Sequence, residues 1–201
     1  MKAEHYYTKR PTSQERVGKV GIRVGGKYIE FLTSSGVFSP RRVDKATLLL
    51  IDNMALKPGG EILDMGAGYG PIGIVAASLN SKARVTMVEI NERAAKLVRE
   101  NIKANGITNA KIIAGDFFGP LGDRKFDTIL MNPPIAIGLR RNFEVIEECK
   151  DHLRPGGSLQ IVARHNKGGS KLREKMGEVF GNVEDTVKSG GFRVYMSVLS
   201  K

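Results

Sequence analysis

The chain has 201 residues, 41% of them hydrophobic, enough to bury one good core and no reason to expect a second full domain. Its single cysteine, Cys149, excludes an internal disulfide or a multi-cysteine metal site, its three histidines (His5, His152, His165) show no ligand spacing, and no apolar run approaches the roughly 20 residues of a membrane span. A cytoplasmic protein with no metal and no membrane partner is therefore expected, and the formal net charge of +11, with an isoelectric point near 9.8, favours a polyanionic partner such as RNA.

In chain order, segment 17–32 alternates around Gly25-Gly26 and predicts a small β-hairpin inside an N-terminal extension, 1–44. Apolar spacing over 45–54 predicts a helix that opens the main domain, 45–201. From Glu61 onward, strands at 61–65, 84–90, 110–114, 126–131 and 158–164 alternate with helices at 70–79, 92–105 and 143–153. Asn91 is placed to cap the second of these helices and Gly106 to close it. A further helix at 170–180 is followed by strands at 182–187 and 192–199, joined around Gly190-Gly191. The fold class implied is α/β: a doubly wound, seven-stranded, mostly parallel sheet that ends in an antiparallel hairpin.

The segment Asp64-Met65-Gly66-Ala67-Gly68-Tyr69-Gly70-Pro71-Ile72-Gly73 joins the first parallel strand to its helix. Its glycines permit a tight turn and close backbone approach by a ligand, so a cofactor is expected here. Gly68 to Gly73 also fits the dinucleotide pattern G-x-G-x-x-G, with Glu89 following about 20 residues on, so the glycines alone leave NAD open. Asp64 tilts the choice, because an acid suits a cationic amino-acid moiety and suits a pyrophosphate poorly; S-adenosylmethionine carries such a moiety. Glu89, with Ile90 beside it, is placed to accept both ribose hydroxyls. Asp116 is placed to accept from the adenine amino group, and Phe117 to offer it an apolar or stacking surface.

The apolar run 128–131 leads directly into Asn132-Pro133-Pro134-Ile135. Two prolines lock φ and lack N–H donors, so the Asn132 side chain and the Pro133 carbonyl can face outward as acceptors. That pair suits the exocyclic amino group of an aminopurine or aminopyrimidine, and Asn132 is a candidate contact for cofactor as well as target. Arg140-Arg141 follow in a segment expected to be loop. With Arg41-Arg42, Arg164, Lys167, Lys171 and Arg173 they are candidates to grip phosphates on the pocket rim. His165 and Asn166 are placed to meet the substrate edge, and Phe38 to stack on the target base.

With Asp64 to Gly73, Glu89, Asp116 and Asn132 to Ile135 in this order, the chain resembles class I S-adenosylmethionine-dependent methyltransferases that modify amino groups, over nearly its whole length from Lys45. Ser35-Gly36-Val37-Phe38-Ser39, then Asp44, Leu48-Leu49-Leu50 and the NPPI tetrapeptide, are similar more narrowly to the RsmC family of small-subunit ribosomal RNA guanine-N2 methyltransferases, in particular to compact single-domain archaeal members. The resemblance implies a Rossmann-like fold and S-adenosylmethionine as cofactor. It also implies that Asp64 and the loop Gly66, Ala67, Gly68, Tyr69, Gly70 hold the methionine part and Glu89 the ribose, that Asp116 and Phe117 frame the adenine, and that Asn132 to Ile135 position the target amine. Bacterial members carry an extra degenerate methyltransferase-like half that this chain lacks, so a basic surface or a homodimer is expected to take over RNA targeting. Ile135 stands where many adenine-N6 and glutamine methyltransferases have an aromatic residue, which shifts weight toward guanine N2.

The expected function is thus methylation of the guanine N2 amine in ribosomal RNA, by a monomer or homodimer. The mechanism is in-line transfer governed by proximity and orientation. Guanine-N2 methylation of tRNA and adenine-N6 methylation of RNA or DNA are the nearest alternatives, followed by protein glutamine methylation and nicotinamide oxidoreduction. A non-catalytic RNA-binding ribosome assembly factor belongs to a different class, and intact Asp64, Glu89 and Asn132 argue against it, since binding alone needs no amine acceptors.

Overall fold

The computed structural model describes residues 8, 9, 14, 16–134 and 137–200. Strands β1 (Val17–Val24) and β2 (Lys27–Ser34) pair antiparallel, with Val24 opposite Lys27, so the turn is the two residues Gly25 and Gly26. Both have positive φ, +54° and +75°, as the twist-matched two-residue hairpin turn requires. The hairpin packs through Val20, Ile29 and Phe31 into the same apolar cluster as Tyr69 and Val98.

Five strands, β3 (Glu61–Met65), β4 (Arg84–Glu89), β5 (Ala110–Ala114), β6 (Phe126–Met131) and β7 (Leu153–Arg164), run parallel. Strand β9 (Phe192–Val198) is antiparallel to both β7 and β8 (Glu184–Ser189), and the sheet order is β5-β4-β3-β6-β7-β9-β8. Helices α1 (Lys45–Asn53), α2 (Pro71–Leu79) and α3 (Glu92–Ala104) cover one face with the hairpin. Helices α4 (Leu139–His152) and α5 (Ser170–Phe180) cover the other. Burial on both faces explains why all six residues of β6 are buried and why its sequence shows no alternation. From β3 the chain winds outward to β4 and β5, then returns to β6 on the opposite side. The carboxyl ends of β3 and β6 therefore flank a topological switch point, where doubly wound sheets open a ligand crevice.

Among the boundaries that differ from expectation, three have an evident local cause. Helix α4 begins at Leu139 and not at 143, because the polar stretch Arg140-Arg141-Asn142 masks its first turn; Asn142 is nevertheless buried there. Strand β7 begins at Leu153 and not at 158, absorbing Pro155-Gly156-Gly157 as a bulge, so that Phe126 pairs with Leu153 but Thr128 with Ser158. Strand β8 runs over Glu184–Ser189, two residues later than expected, since Asn182 spends its side chain bonding the Val198 backbone N–H and carbonyl at 2.8 Å each. Among the described residues no helix is long and apolar enough to cross a membrane.

Candidate active site

The crevice at the switch point is a cleft of about 1070 Å³, counted out to its open mouth. Its floor is the turn after β3. Gly66 and Ala67 both donate N–H to the Val88 carbonyl, at 2.9 and 3.0 Å, folding the turn back against β4. Gly68 takes φ +58°, a left-handed conformation that suits glycine, and donates its N–H to Glu89 Oε2 at 2.8 Å. The buried Asn101 of α3 donates through Nδ2 to the carbonyls of Tyr69 (2.9 Å) and Leu32 (3.0 Å), tying this loop to the hairpin with one side chain. The Tyr69 ring meets Phe31 edge-on at 5.9 Å and is buried.

Two carboxylates underlie the loop. Asp64 is fully buried; its Oδ2 accepts the Gly73 N–H at 2.8 Å, while its Oδ1 has no hydrogen-bond partner. A Cβ on Gly73 would lie 2.9 Å from that Oδ2 and 2.5 Å from Met87, so the approach of α2 to Asp64 depends on glycine. Burial pushes the Asp64 carboxyl up to about 7 against the opposing pull of the Gly73 N–H. Glu89 is nearly as enclosed, accepting from Gly68 through Oε2 and from the Asn91 N–H through Oε1 at 2.8 Å, and burial pushes it up to about 6. Both values exceed the ordinary 3.8 and 4.5, so the folded state holds extra protons between the ordinary and the raised values. The stability these groups contribute is full in acid and is lost as pH rises toward neutrality. The urea midpoint of the ligand-free protein should therefore fall between about pH 4 and about pH 7 through these groups, and Asp64→Asn should flatten most of that fall. An unchanged slope in the variant would contradict the assignment.

The wall opposite the loop comes from α1 and the end of β6. Asp44 caps α1, its Oδ2 accepting from the N–H groups of Ala46 (3.0 Å) and Thr47 (3.3 Å). Asn132 Nδ2 donates to Thr47 Oγ1 at 3.0 Å and lies 3.4 Å from Asp44 Oδ2. A carboxylate only accepts, so the amide nitrogen is the end that faces α1, which leaves Oδ1 as the acceptor of a side chain that lines the cleft. The Pro134 carbonyl accepts from the Ile137 N–H at 3.2 Å and from Asn142 Nδ2 at 3.3 Å, which braces the turn leading into α4. The sequence assigns no site role to Asp44, Thr47 or Asn142. An acid just before a helical segment is a capping signal, but the Thr47–Asn132 contact spans 85 residues and leaves no local trace.

At the far wall Phe117 holds φ +42°, and the guanidinium of Arg141 lies 4.9 Å above its ring. The same Arg141 reaches Asp116 at 3.4 Å, Glu144 at 3.1 Å and Glu148 at 3.6 Å. Arg140 and Arg141, expected in a loop, thus sit in the first turn of α4; Arg141 is engaged by three carboxylates, while Arg140 points to solvent with Glu144 at 3.8 Å. His165 lies at the tip of β7, outside the cleft, with Nδ1 2.9 Å from the Tyr195 hydroxyl. Asp64 lies behind the loop, and Gly70, at φ +96°, caps α2. Ile135 falls outside the described residues.

Of the residues singled out in the sequence, the structure brings Phe38, Gly66, Ala67, Gly68, Tyr69, Glu89, Ile90, Asp116, Phe117, Asn132, Pro133 and Pro134 onto one cleft surface. Three carboxylates, Asp44, Glu89 and Asp116, line it, and among the described residues no Lys, Arg or His does. Such a lining attracts a cationic ligand and repels a pyrophosphate.

The family model described as methyltransferase small domain matches residues 28–196. The chain is 37% identical over 194 residues to YbxB, an uncharacterized protein of Bacillus subtilis, covering 96% of both. It is 32% identical over 173 residues to ribosomal RNA small subunit methyltransferase C of Cronobacter sakazakii, covering 84% of this chain and 49% of that protein. The chain therefore spans about half the length of that relative. Among solved structures, the Thermus thermophilus 16S rRNA guanine-N2 methyltransferase RsmC, in complex with S-adenosylmethionine and guanosine, matches with a TM-score of 0.81 at 27% identity, over 93% of this chain and 51% of that one. A methyltransferase from Pyrococcus furiosus shares the fold, with a TM-score of 0.69 at 22% identity over 83% of this chain and 91% of that one.

Proposed function

We propose, for a chain that belongs to the methyltransferase small-domain family, that it transfers a methyl group from S-adenosylmethionine to the exocyclic N2 amine of guanine in ribosomal RNA. The observation that carries this reading is a cleft lined by three carboxylates and, among the described residues, no cation, with the Asn132 amide oriented as an acceptor on its wall. The guanine-N2 methyltransferase that resembles this chain was solved with S-adenosylmethionine and guanosine together, which supports the same pair of ligands here.

The residues present fit the cofactor. Glu89 is pinned by two backbone amides and lines the cleft, so its remaining lone pairs are available to ribose hydroxyls. Asp64 Oδ1, buried without a partner under the glycine loop, complements a positive amino-acid end. Asp116 and Phe117 would frame the adenine, held from outside by Arg141. When bound, S-adenosylmethionine supplies a methyl group made electrophilic by its sulfonium.

The chain's own part is positional. A guanine amine is a poor nucleophile because its lone pair is delocalised into the ring. Asn132 Oδ1 and the Pro133 carbonyl would accept its two hydrogens and hold the nitrogen in line, a contribution of proximity and orientation. The amine becomes acidic as its bond to carbon forms, so its proton can leave late, to water or to a neighbouring acceptor. A target base in a helix has to be flipped out to reach a cleft at the strand ends.

The test is an RNA in which inosine replaces guanosine, which removes only the N2 amine. Labelled methyl should enter the guanosine RNA and not the inosine RNA. Equal labelling of both would overturn the N2 reading and move the target to adenine N6.

A further inference from the structure

A second concavity lies at the same end of the sheet as the cleft. It has a volume of about 520 Å³ and is built from the tip of β7 and the β8–β9 turn, with His165, Asn166, Lys188, Phe192 and Arg193 on its walls. His165 donates its backbone N–H to the Gly191 carbonyl at 2.9 Å, clamping the turn onto the tip of β7. Its Nδ1 is engaged by the buried Tyr195 hydroxyl, which fixes the ring. The guanidinium of Arg164, next in the chain to the pocket-lining His165, lies 4.9 Å above the ring of Phe192 on the pocket wall, which holds a planar fork of donors beside the pocket. Behind it, three cations converge on one carboxylate: Arg173 at 2.6 Å, Arg193 at 2.7 Å and Lys188 at 3.4 Å from Asp185. The pocket therefore carries an excess of positive charge.

We propose that this pocket binds the sugar-phosphate backbone of the RNA strand flanking the target base, an inference that rests on the RNA reading above. The cleft itself repels phosphate, so a strand that delivers a base there needs its backbone neutralised nearby. The pocket meets that need by position as well as charge. Strand β7 pairs with β6, which carries Asn132 at its end, and β9 pairs with β7; at a strand spacing of about 4.8 Å the pocket stands about 10 Å to the side of the amine acceptors. The groove at the opposite, amino end of the strands is also basic, with Arg84, Lys111 and Arg154 on its walls, but it faces away from the cleft.

The experiment compares Arg164→Gln with Lys188→Gln, combined in one protein, against Lys103→Gln with Lys111→Gln at the opposite end; all four side chains are exposed, so both proteins should fold. The probe is a labelled single-stranded RNA of mixed sequence, titrated by fluorescence anisotropy over a series of KCl concentrations. S-adenosylhomocysteine affinity is measured alongside. The pocket variant should bind RNA about tenfold more weakly, with the salt slope reduced by about one for each phosphate no longer neutralised, while the opposite-end variant tracks the unmodified protein. Both should bind S-adenosylhomocysteine normally. Equal weakening in the two variants, or none in either, would overturn the pocket assignment. An unmodified protein that binds S-adenosylhomocysteine but neither binds nor methylates RNA would overturn the RNA reading and the pocket with it.

Discussion

Asn132→Ala should lower kcat for methyl transfer by at least about a hundredfold while leaving the affinity for S-adenosylhomocysteine within about twofold. The size follows from what the amide does. Its nitrogen is held by Thr47 and Asp44, so its oxygen is fixed in advance as an acceptor, and removing one preorganised polar contact of this kind typically lowers kcat by about two to three orders of magnitude. The cofactor side is spared because Glu89, Asp64 and the glycine loop are held by their own backbone partners. Thr47→Val keeps the shape of that side chain but removes the 3.0 Å acceptor, so the amide can rotate; kcat should fall by about tenfold, between the parent and Asn132→Ala. Equal loss of cofactor affinity in Asn132→Ala would show that the amide belongs to the cofactor pocket and not to the target.

Glu89→Ala should produce the reverse pattern, weakening S-adenosylhomocysteine binding by about a hundredfold or more before any effect on the chemical step. The carboxylate has two tasks. It faces the cleft, where it would accept ribose hydroxyls, and it receives the N–H groups of Gly68 and Asn91, which set the glycine loop and the start of α3. Glu89→Gln is the sharper version of the test. One end of the amide would be an NH2 group facing a backbone N–H at about 2.8 Å, a donor against a donor, so the isosteric change should be nearly as damaging as alanine. Calorimetry with S-adenosylhomocysteine measures both variants. Near-normal affinity in Glu89→Gln would show that neither backbone donor matters to the loop.

The α/β alternation, the seven strands and the N-terminal hairpin were legible because each rests on local pattern: apolar runs bounded by turn residues, and Gly25-Gly26 between alternating stretches. The cleft-lining set was legible for the same reason, since Gly66 to Tyr69, Glu89, Asp116 and Asn132 all lie at or just beyond strand ends, and parallel strands deliver their ends to one place. What escaped was long-range or masked. Arg141 read as a free phosphate contact because nothing local shows that Asp116 and Phe117 lie across from it. Asp64 read as an acid for a ligand's cationic end, and nothing local shows that α2 closes over it through Gly73. Thr47 carried no signal at all, because its partner enters the chain only after four further strands and two helices.

The most direct measurement is transfer of labelled methyl from S-adenosylmethionine to total RNA from a strain lacking this protein, followed by nucleoside mass spectrometry. The account predicts label in N2-methylguanosine. Label confined to N6-methyladenosine, or found in protein with none in RNA, would contradict it.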